Sequence, residues 1–124
     1  MLDVSCRKKT DGKYYIVTDR WQHFTEVELT LSTFEWLGSY CDEFLVHGVD
    51  VEGKASGIDR ELVELLGRWR GQTITYAGGI RSMEDIWQIE KYGEGHLDFT
   101  VGSALDLFGG NISFQELSEK YHME

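Results

Sequence analysis

Short apolar runs alternate along this chain with longer segments in which apolar residues recur at helical spacing. The apolar runs fall at residues 2–6, 43–49, 73–76 and 97–101, and they predict four strands. The run 43-EFLVHGV-49 is continuous, which predicts a strand that is buried on both faces. The helical patterns predict helices that start near Ser32, cover 58–69, start after Ser82, and cover 103–108 and 113–121.

Turn and capping residues mark where these elements begin and end. Asp11 and Gly12 mark a turn, so 14-YYIVT-18 is predicted to be an exposed strand that forms a hairpin with the first strand. Residues 19–30 are predicted to form an irregular loop. The spacing in 32-STFE-35 is that of a capping box, and Ser82 with Asp85 offers a second helix cap.

The order of elements is therefore βαβαβαβα with short connections. This alternation predicts an α/β fold of parallel strands joined by right-handed crossovers. Four βα units in 124 residues fit either a small open-sheet domain or half of an eight-stranded barrel. No linker or low-complexity segment divides the chain, so residues 1–124 are predicted to form a single domain.

Composition narrows the classes of partner. The formal net charge of −10 argues against electrostatic binding to nucleic acid or to an anionic membrane surface. A phosphate ligand would therefore have to be captured locally, by backbone amides or by a few cations.

The start of the chain and its cysteines bear on location. The first residues lack the apolar core of a signal peptide, and no apolar stretch is long enough to span a membrane. Cys6 and Cys41 lack metal-ligand spacing and are expected to be reduced thiols. We therefore expect a cytoplasmic protein.

Glycines follow two of the predicted strands at the point where each strand ends. Gly78 and Gly79 would let backbone N–H groups approach an anion, and Gly102 with Ser103 adds an amide and a hydroxyl at a helix start. Each pair could instead form an ordinary tight turn. Because two consecutive loops repeat the pattern, phosphate binding is the favoured interpretation.

Three carboxylates are candidates for general acid–base chemistry: Asp3, Asp50 and Glu52. Asp3 lies inside an apolar strand, where a carboxylate is unusual, so it is the leading candidate. The alternative is that Asp3 orders the hairpin loop and that Glu52 is simply solvated.

Two ring-bearing residues have both a functional and a structural interpretation. Trp21, in a polar segment, could stack on a ring-shaped ligand or staple its own loop. His47 is more typical of a core histidine than of a catalyst. Cys6 has no histidine or basic partner placed to activate it, so we do not expect it to be a nucleophile.

Five runs together resemble the phosphoribosylformimino-5-aminoimidazole carboxamide ribotide (ProFAR) isomerases of histidine biosynthesis, in their eukaryotic-type branch. They are 2-LDVSCRK-8, 20-RWQ-22, 43-EFLVHGVDVEGKASGID-59, 76-YAGGIRS-82 and 101-VGSALDLFGG-110. The resemblance covers essentially the whole chain, in order and with similar spacing. It implies the C-terminal (βα)4 half of a TIM (βα)8 barrel, strands five to eight, with an extra hairpin after the first strand.

The resemblance also implies a chemistry. The family catalyses an Amadori rearrangement of an aminoaldose to an aminoketose, without metal or organic cofactor. Asp3 matches the strand-five aspartate near the reacting centre, and Trp21 matches a tryptophan that closes over the substrate. Glu52 stands where many members have an aspartate, and Asp50 is the alternative for that role. The phosphate site in the C-terminal half of the family's barrel is matched by Gly78, Gly79, Gly102 and Ser103.

Family members have about four more βα units ahead of this region, as expected for a barrel of ~250 residues. The resemblance therefore implies that the strand-one aspartate and the other phosphate site come from another half-barrel rather than from residues 1–124. We expect a homodimer or a complex with an N-terminal half-barrel, because a half-barrel leaves sheet edges and an apolar interior open. The alternative function is a non-catalytic phosphate-binding or assembly module.

Overall fold

The computed structural model describes residues 1–18, 23–51 and 57–100. The strands are β1 (Leu2–Lys8), β2 (Tyr14–Thr18), β3 (His23–Glu28), β4 (Glu43–Gly48), β5 (Thr73–Ala77) and β6 (Leu97–Thr100). The helices are α1 (Leu31–Leu37), α2 (Arg60–Leu66) and α3 (Met83–Tyr92), with a short 3₁₀ turn at Gly38–Tyr40. The helices predicted over 103–108 and 113–121 lie outside the described residues.

All six strands belong to one sheet, in the order β3-β2-β1-β4-β5-β6. β1, β4, β5 and β6 are parallel neighbours, each joined to the next by a segment that carries a helix. β2 and β3 form antiparallel pairs, as the predicted hairpin requires. The expected α/β fold with a mostly parallel sheet is confirmed, and the arrangement is consistent with part of a TIM barrel.

The register of the parallel strands separates the two faces of the sheet. Val4, Val46, Tyr76 and Phe99 are partners across four strands and belong to the core. The next row consists of Ser5, His47, Ala77 and Thr100, whose side chains point to the opposite face because successive strand residues alternate. We call this opposite side the open face.

The hydrophobic core lies between the sheet and the three helices. Phe34 of α1 meets Phe44 of β4 edge-on, with ring centroids 5.0 Å apart. Leu62 of α2 and Ile86 of α3 are fully buried in the same cluster as Tyr76 of β5. All three helices therefore cover one side of the sheet, as in one half of a barrel wall.

The open face is polar, which corrects the expectation of an apolar interior. The row Asp3, Leu45, Thr75 and Asp98 contains one apolar residue among four. β4 alternates between half-buried and buried residues, so the prediction that it is buried on both faces is wrong for the described structure. Its apolar run is continuous because Leu45 occupies the open face.

Three further predictions are wrong in the region up to the first turn of α1. Residues 23–28 form the outer strand β3 rather than a loop. The N-cap of α1 is Thr30, whose Oγ1 accepts a hydrogen bond from Thr33 N at 3.2 Å, so Ser32 lies inside the helix. Tyr14 and Val17 are buried, so β2 is not the exposed strand that was predicted.

Candidate functional site

Asp3 lies on the open face of β1, where the strand pairing brings it close to a histidine. It pairs with Leu45 of β4, and His47 is two residues further along the same face. His47 Nε2 is 3.9 Å from Asp3 Oδ2. The Asp3 side chain is 67% exposed and that of His47 is 23% exposed. The carboxylate is therefore open to a ligand, while the imidazole lies deeper, against the sheet.

His47 is the residue of this region whose position the sequence interpretation missed. Within a continuous apolar run it resembled a core histidine, yet the strand alternation places it on the open face with Asp3. The available signal was its spacing from Leu45 and Glu43, since residues two apart share a face.

Asp50 follows β4 at the carboxyl end of the parallel strands and is bound to the end of β1. Its Oδ1 is 3.0 Å from Arg7 Nε, and its Oδ2 accepts a hydrogen bond from Lys8 N at 3.2 Å. Both carboxylate oxygens thus have partners, and the contacts join two neighbouring strand ends. Glu52, the other candidate, lies outside the described residues.

Gly78 and Gly79 follow β5 at the same edge of the sheet, and both are buried. Gly79 has φ = 72°, a left-handed conformation that favours glycine. A Cβ at this position would collide with the Gly57 carbonyl, while the Gly57 amide donates to Gly79 O at 3.0 Å. The two loops after β4 and β5 are therefore in direct contact, which is a structural reason for glycine here.

The start of α3, just beyond these glycines, is capped by the chain itself. Ser82 Oγ accepts a hydrogen bond from Asp85 N, as the sequence predicted. The buried carboxylate of Asp85 accepts from Arg81 N at 3.0 Å and lies 3.4 Å from Arg81 Nε. The backbone amides of Arg81 and Asp85 therefore already have hydrogen-bond partners within the chain.

Trp21, Gly102 and Ser103 lie outside the described residues, so the structure does not place them relative to Asp3 or to Gly78. Among residues 1–18, 23–51 and 57–100, no three or more metal-ligating side chains cluster together. No helix in this part of the chain is long and apolar enough to cross a membrane.

Cys6 lies on the core side of β1, behind His47. Burial raises the pKa of its thiol far above the ordinary value, and nearby Asp59 and Asp50 raise it further. Its Sγ donates a weak hydrogen bond to His47 O at 3.6 Å. A thiol kept protonated is a poor nucleophile, which agrees with its expected lack of a catalytic role. Both Cys6 and Cys41 are free.

Helices cover one side of a mostly parallel sheet, and the carboxylates and glycines lie on its open face and at its carboxyl edge. This arrangement is consistent with part of a (βα)8 barrel. A family model described as "Histidine biosynthesis protein" matches residues 1–113. The chain belongs to this family.

Curated relatives at 40–56% identity share one enzyme name. That name is 1-(5-phosphoribosyl)-5-((5-phosphoribosylamino)methylideneamino)imidazole-4-carboxamide isomerase, or ProFAR isomerase. The chloroplastic protein of Medicago truncatula is 56% identical over 117 residues, covering 94% of this chain and 37% of the relative. The Yarrowia lipolytica protein is 45% identical over 130 residues, covering 98% and 49%. The Saccharomyces cerevisiae protein is 42% identical over 116 residues, covering 90% and 44%.

The matched region is the C-terminal portion of these relatives. The chain thus spans less than half the length of each of the three. The expected resemblance to the C-terminal half of ProFAR isomerases is confirmed.

Proposed function

We propose that this chain supplies the strand-five-to-eight half of a ProFAR isomerase active site. The observation that carries the proposal is the 56% identity to the Medicago truncatula isomerase over 94% of this chain. The substrate would be a phosphoribosyl compound, and the reaction an Amadori rearrangement without metal or organic cofactor. We propose the cytoplasm as the location.

The rearrangement needs acid–base groups and no outside oxidant. The ring C1–O bond breaks as the ring oxygen takes up a proton, and the lone pair of the attached nitrogen forms a C1=N bond. C2 then loses its hydrogen as a proton, which gives an enolamine with a C1=C2 bond and returns the electron pair to nitrogen. C1 next takes up a proton while the C2 hydroxyl loses one, so C2 is oxidised and C1 is reduced by the same electron pair. Asp3, exposed on the open face, is our candidate for one of these proton transfers.

A second carboxylate completes the proposed chemistry from this half. Because both oxygens of Asp50 are bound to the end of β1, Asp50 is suited to joining the strand ends. This engagement favours Glu52 over Asp50 as the second acid–base group of this half.

One phosphate of the substrate would bind at the carboxyl edge of the sheet. Gly78 and Gly79, with Gly102 and Ser103, are the proposed contacts, through backbone amides and one hydroxyl. Trp21 is the proposed residue that closes over the substrate. The position of Gly78 and Gly79 directly after β5, at the carboxyl edge of the parallel strands, supports this site.

The second half of the site would come from a second copy of this chain or from a separate N-terminal half-barrel. The edge of β1 supports this proposal. β2 pairs with Cys6, Arg7 and Lys8, whereas the segment Leu2–Ser5 pairs only with β4 among the described residues. That segment could accept another parallel strand, just as strand five pairs with strand four in a closed barrel.

The decisive experiment measures turnover and binding separately. The full chain, alone and mixed with the N-terminal half of a relative, is assayed for ProFAR isomerisation, and ribose 5-phosphate binding is measured by calorimetry. We expect turnover in the mixture. Binding without turnover in either case would instead support the non-catalytic phosphate-binding or assembly module.

Glycine variants test the phosphate site. Gly79→Ala would collide with Gly57, whereas Gly95→Ala has a similar φ of 73° and open space around the added Cβ. We expect ribose 5-phosphate affinity to fall for Gly79→Ala and to remain unchanged for Gly95→Ala, with circular dichroism confirming that both variants are folded. Equal affinities in the two variants would contradict a phosphate site at Gly79.

A further inference from the structure

The open face places one imidazole behind the proposed reacting carboxylate. Asp3 and His47 are diagonal neighbours on adjacent parallel strands, a separation that long side chains can bridge. The 3.9 Å between Nε2 and Oδ2 shows that they approach each other across the open face. The exposed carboxylate can meet a ligand, and the half-buried imidazole can restrict its orientation.

The surrounding charges leave His47 as the group suited to this task. Arg7, a cationic side chain on the open face of the described parallel strands, faces Asp50, with Nε 3.0 Å from Oδ1. Glu43 on β4 and Asp98 on β6 are acidic, and the open-face residues of β5, Thr73, Thr75 and Ala77, do not titrate. An imidazole N–H can donate a hydrogen bond to the Asp3 carboxylate. The acidic neighbours repel that carboxylate, and the β5 residues carry no charge.

We propose that His47 is a positioning residue that holds the Asp3 carboxylate, through Nε2, in the orientation needed for proton transfer with the substrate. This inference rests on the proposed isomerase function. It adds a residue to the site whose role is to act on Asp3 rather than on the substrate. In structural terms it resembles the way a carboxylate and an imidazole orient each other in other acid–base sites.

Nitrogen NMR of the full chain tests the pairing without any turnover. The chemical shift of His47 Nε2 is compared in the wild type, in Asp3→Asn and in Asp98→Asn. We expect Asp3→Asn to move the Nε2 resonance. We expect Asp98→Asn, the same change on the same face but two strands from His47, to leave it in place. Equal effects of the two variants would overturn the pairing.

Kinetics test the positioning role in whichever assembly turns over substrate. His47→Leu fills the space but removes the donor, and we expect kcat to fall by about 100-fold with KM nearly unchanged. His47→Gln keeps an N–H donor and should recover about tenfold of that loss. In the Asp3→Asn background, His47→Leu should cost little more, because the two residues act as a unit.

The outcomes separate the two proposals. Turnover that is equal in the wild type and in His47→Leu would overturn the positioning role while leaving the isomerase function intact. Equal losses in His47→Leu and His47→Gln would also overturn it, since a packing defect would produce them. An absence of turnover in the wild type would overturn the isomerase function, and with it the catalytic role of the pair.

Discussion

Asp59 shows how single residues join the hairpin to the helical layer. It is the N-cap of α2, and its Oδ1 accepts hydrogen bonds from Leu62 N at 3.3 Å and from Tyr14 OH at 2.5 Å. Its own amide donates to Tyr76 OH at 3.0 Å. One residue thus links β2, β5 and α2, so the start of α2 is held to both strands.

The buried phenols and the buried thiol predict a loss of stability in alkali. Burial is the main cause that raises the pKa of Tyr14, of Tyr76 and of Cys6, from ordinary values of 10.0, 10.0 and 9.0. Their stabilising contributions are complete below these ordinary values, because both states are then protonated. Above them the unfolded chain releases protons that the folded chain keeps, so the free energy of unfolding falls as pH rises.

We expect the free energy of unfolding to decline from about pH 9 upward, by about 1.4 kcal/mol per pH unit for each proton released. Urea denaturation at a series of pH values measures this slope. Tyr14→Phe should make the decline above pH 10 shallower by about 1.4 kcal/mol per pH unit, because one proton fewer is released on unfolding. Tyr40→Phe is the matched control, because the Tyr40 side chain is exposed to solvent on the 3₁₀ turn after α1. An identical slope in the wild type and in Tyr14→Phe would contradict the prediction.

At the scale of elements, the sequence predicts the parallel strands better than it predicts the hairpin. β1, β4, β5 and β6 were recognisable because each has apolar residues facing the core. β3 was missed because its sequence lacks the alternation of a half-buried strand. Its apolar residues Phe24 and Val27 are each 39% exposed. Its place in the sheet depends on pairing with β2, which local pattern does not report.

The start of α1 gives a testable case of two rival caps. Thr30 Oγ1 accepts the hydrogen bond from Thr33 N, whereas Ser32 is exposed inside the helix. Thr30→Ala should therefore lower the free energy of unfolding by about 1 kcal/mol, and Ser32→Ala should change it by less than about 0.5 kcal/mol. Thermal or urea unfolding of the two variants measures the difference. A larger loss in Ser32→Ala would restore the capping box that the sequence suggested.

The candidate site was predictable only as far as local sequence determines it. Asp3 stood out because a carboxylate within a strand is unusual. Gly79 stood out because a glycine directly after a strand is informative in itself. His47 did not stand out, because its closeness to Asp3 arises from the register between β1 and β4. The two residues are 44 positions apart in the chain. The Arg7–Asp50 contact arises in the same way and changed how Asp50 is interpreted.

At the scale of the whole molecule, the sheet has one covered side and one side that the described residues leave uncovered. The open face is lined by polar groups, so apolar burial alone would not drive association there. The edge of β1 from Leu2 to Ser5 offers backbone groups for pairing instead. We therefore expect association through strand addition, with the open face enclosed as a consequence.

A charge placed on the open face tests this association. Thr75→Glu would enclose a carboxylate beside Asp98, whereas Ser39→Glu adds the same charge on the exposed 3₁₀ turn after α1. Because an unpaired enclosed charge costs several kcal/mol, Thr75→Glu should weaken association by more than about 100-fold. Sedimentation velocity of the chain, alone and with an N-terminal half, measures this. A stable monomer that also ignores the added half would refute the expected partner.

The hydrogen bond from Gly57 to Gly79 has a consequence for communication between loops. Gly57 lies five residues after Glu52 in the chain, and Gly79 belongs to the proposed phosphate contacts. A ligand that immobilises Gly79 would therefore also hold Gly57, so phosphate binding and the position of Gly57 would be thermodynamically linked. The amide proton of Gly57 reports on this linkage, because its exchange with deuterated solvent should slow when the phosphate is bound.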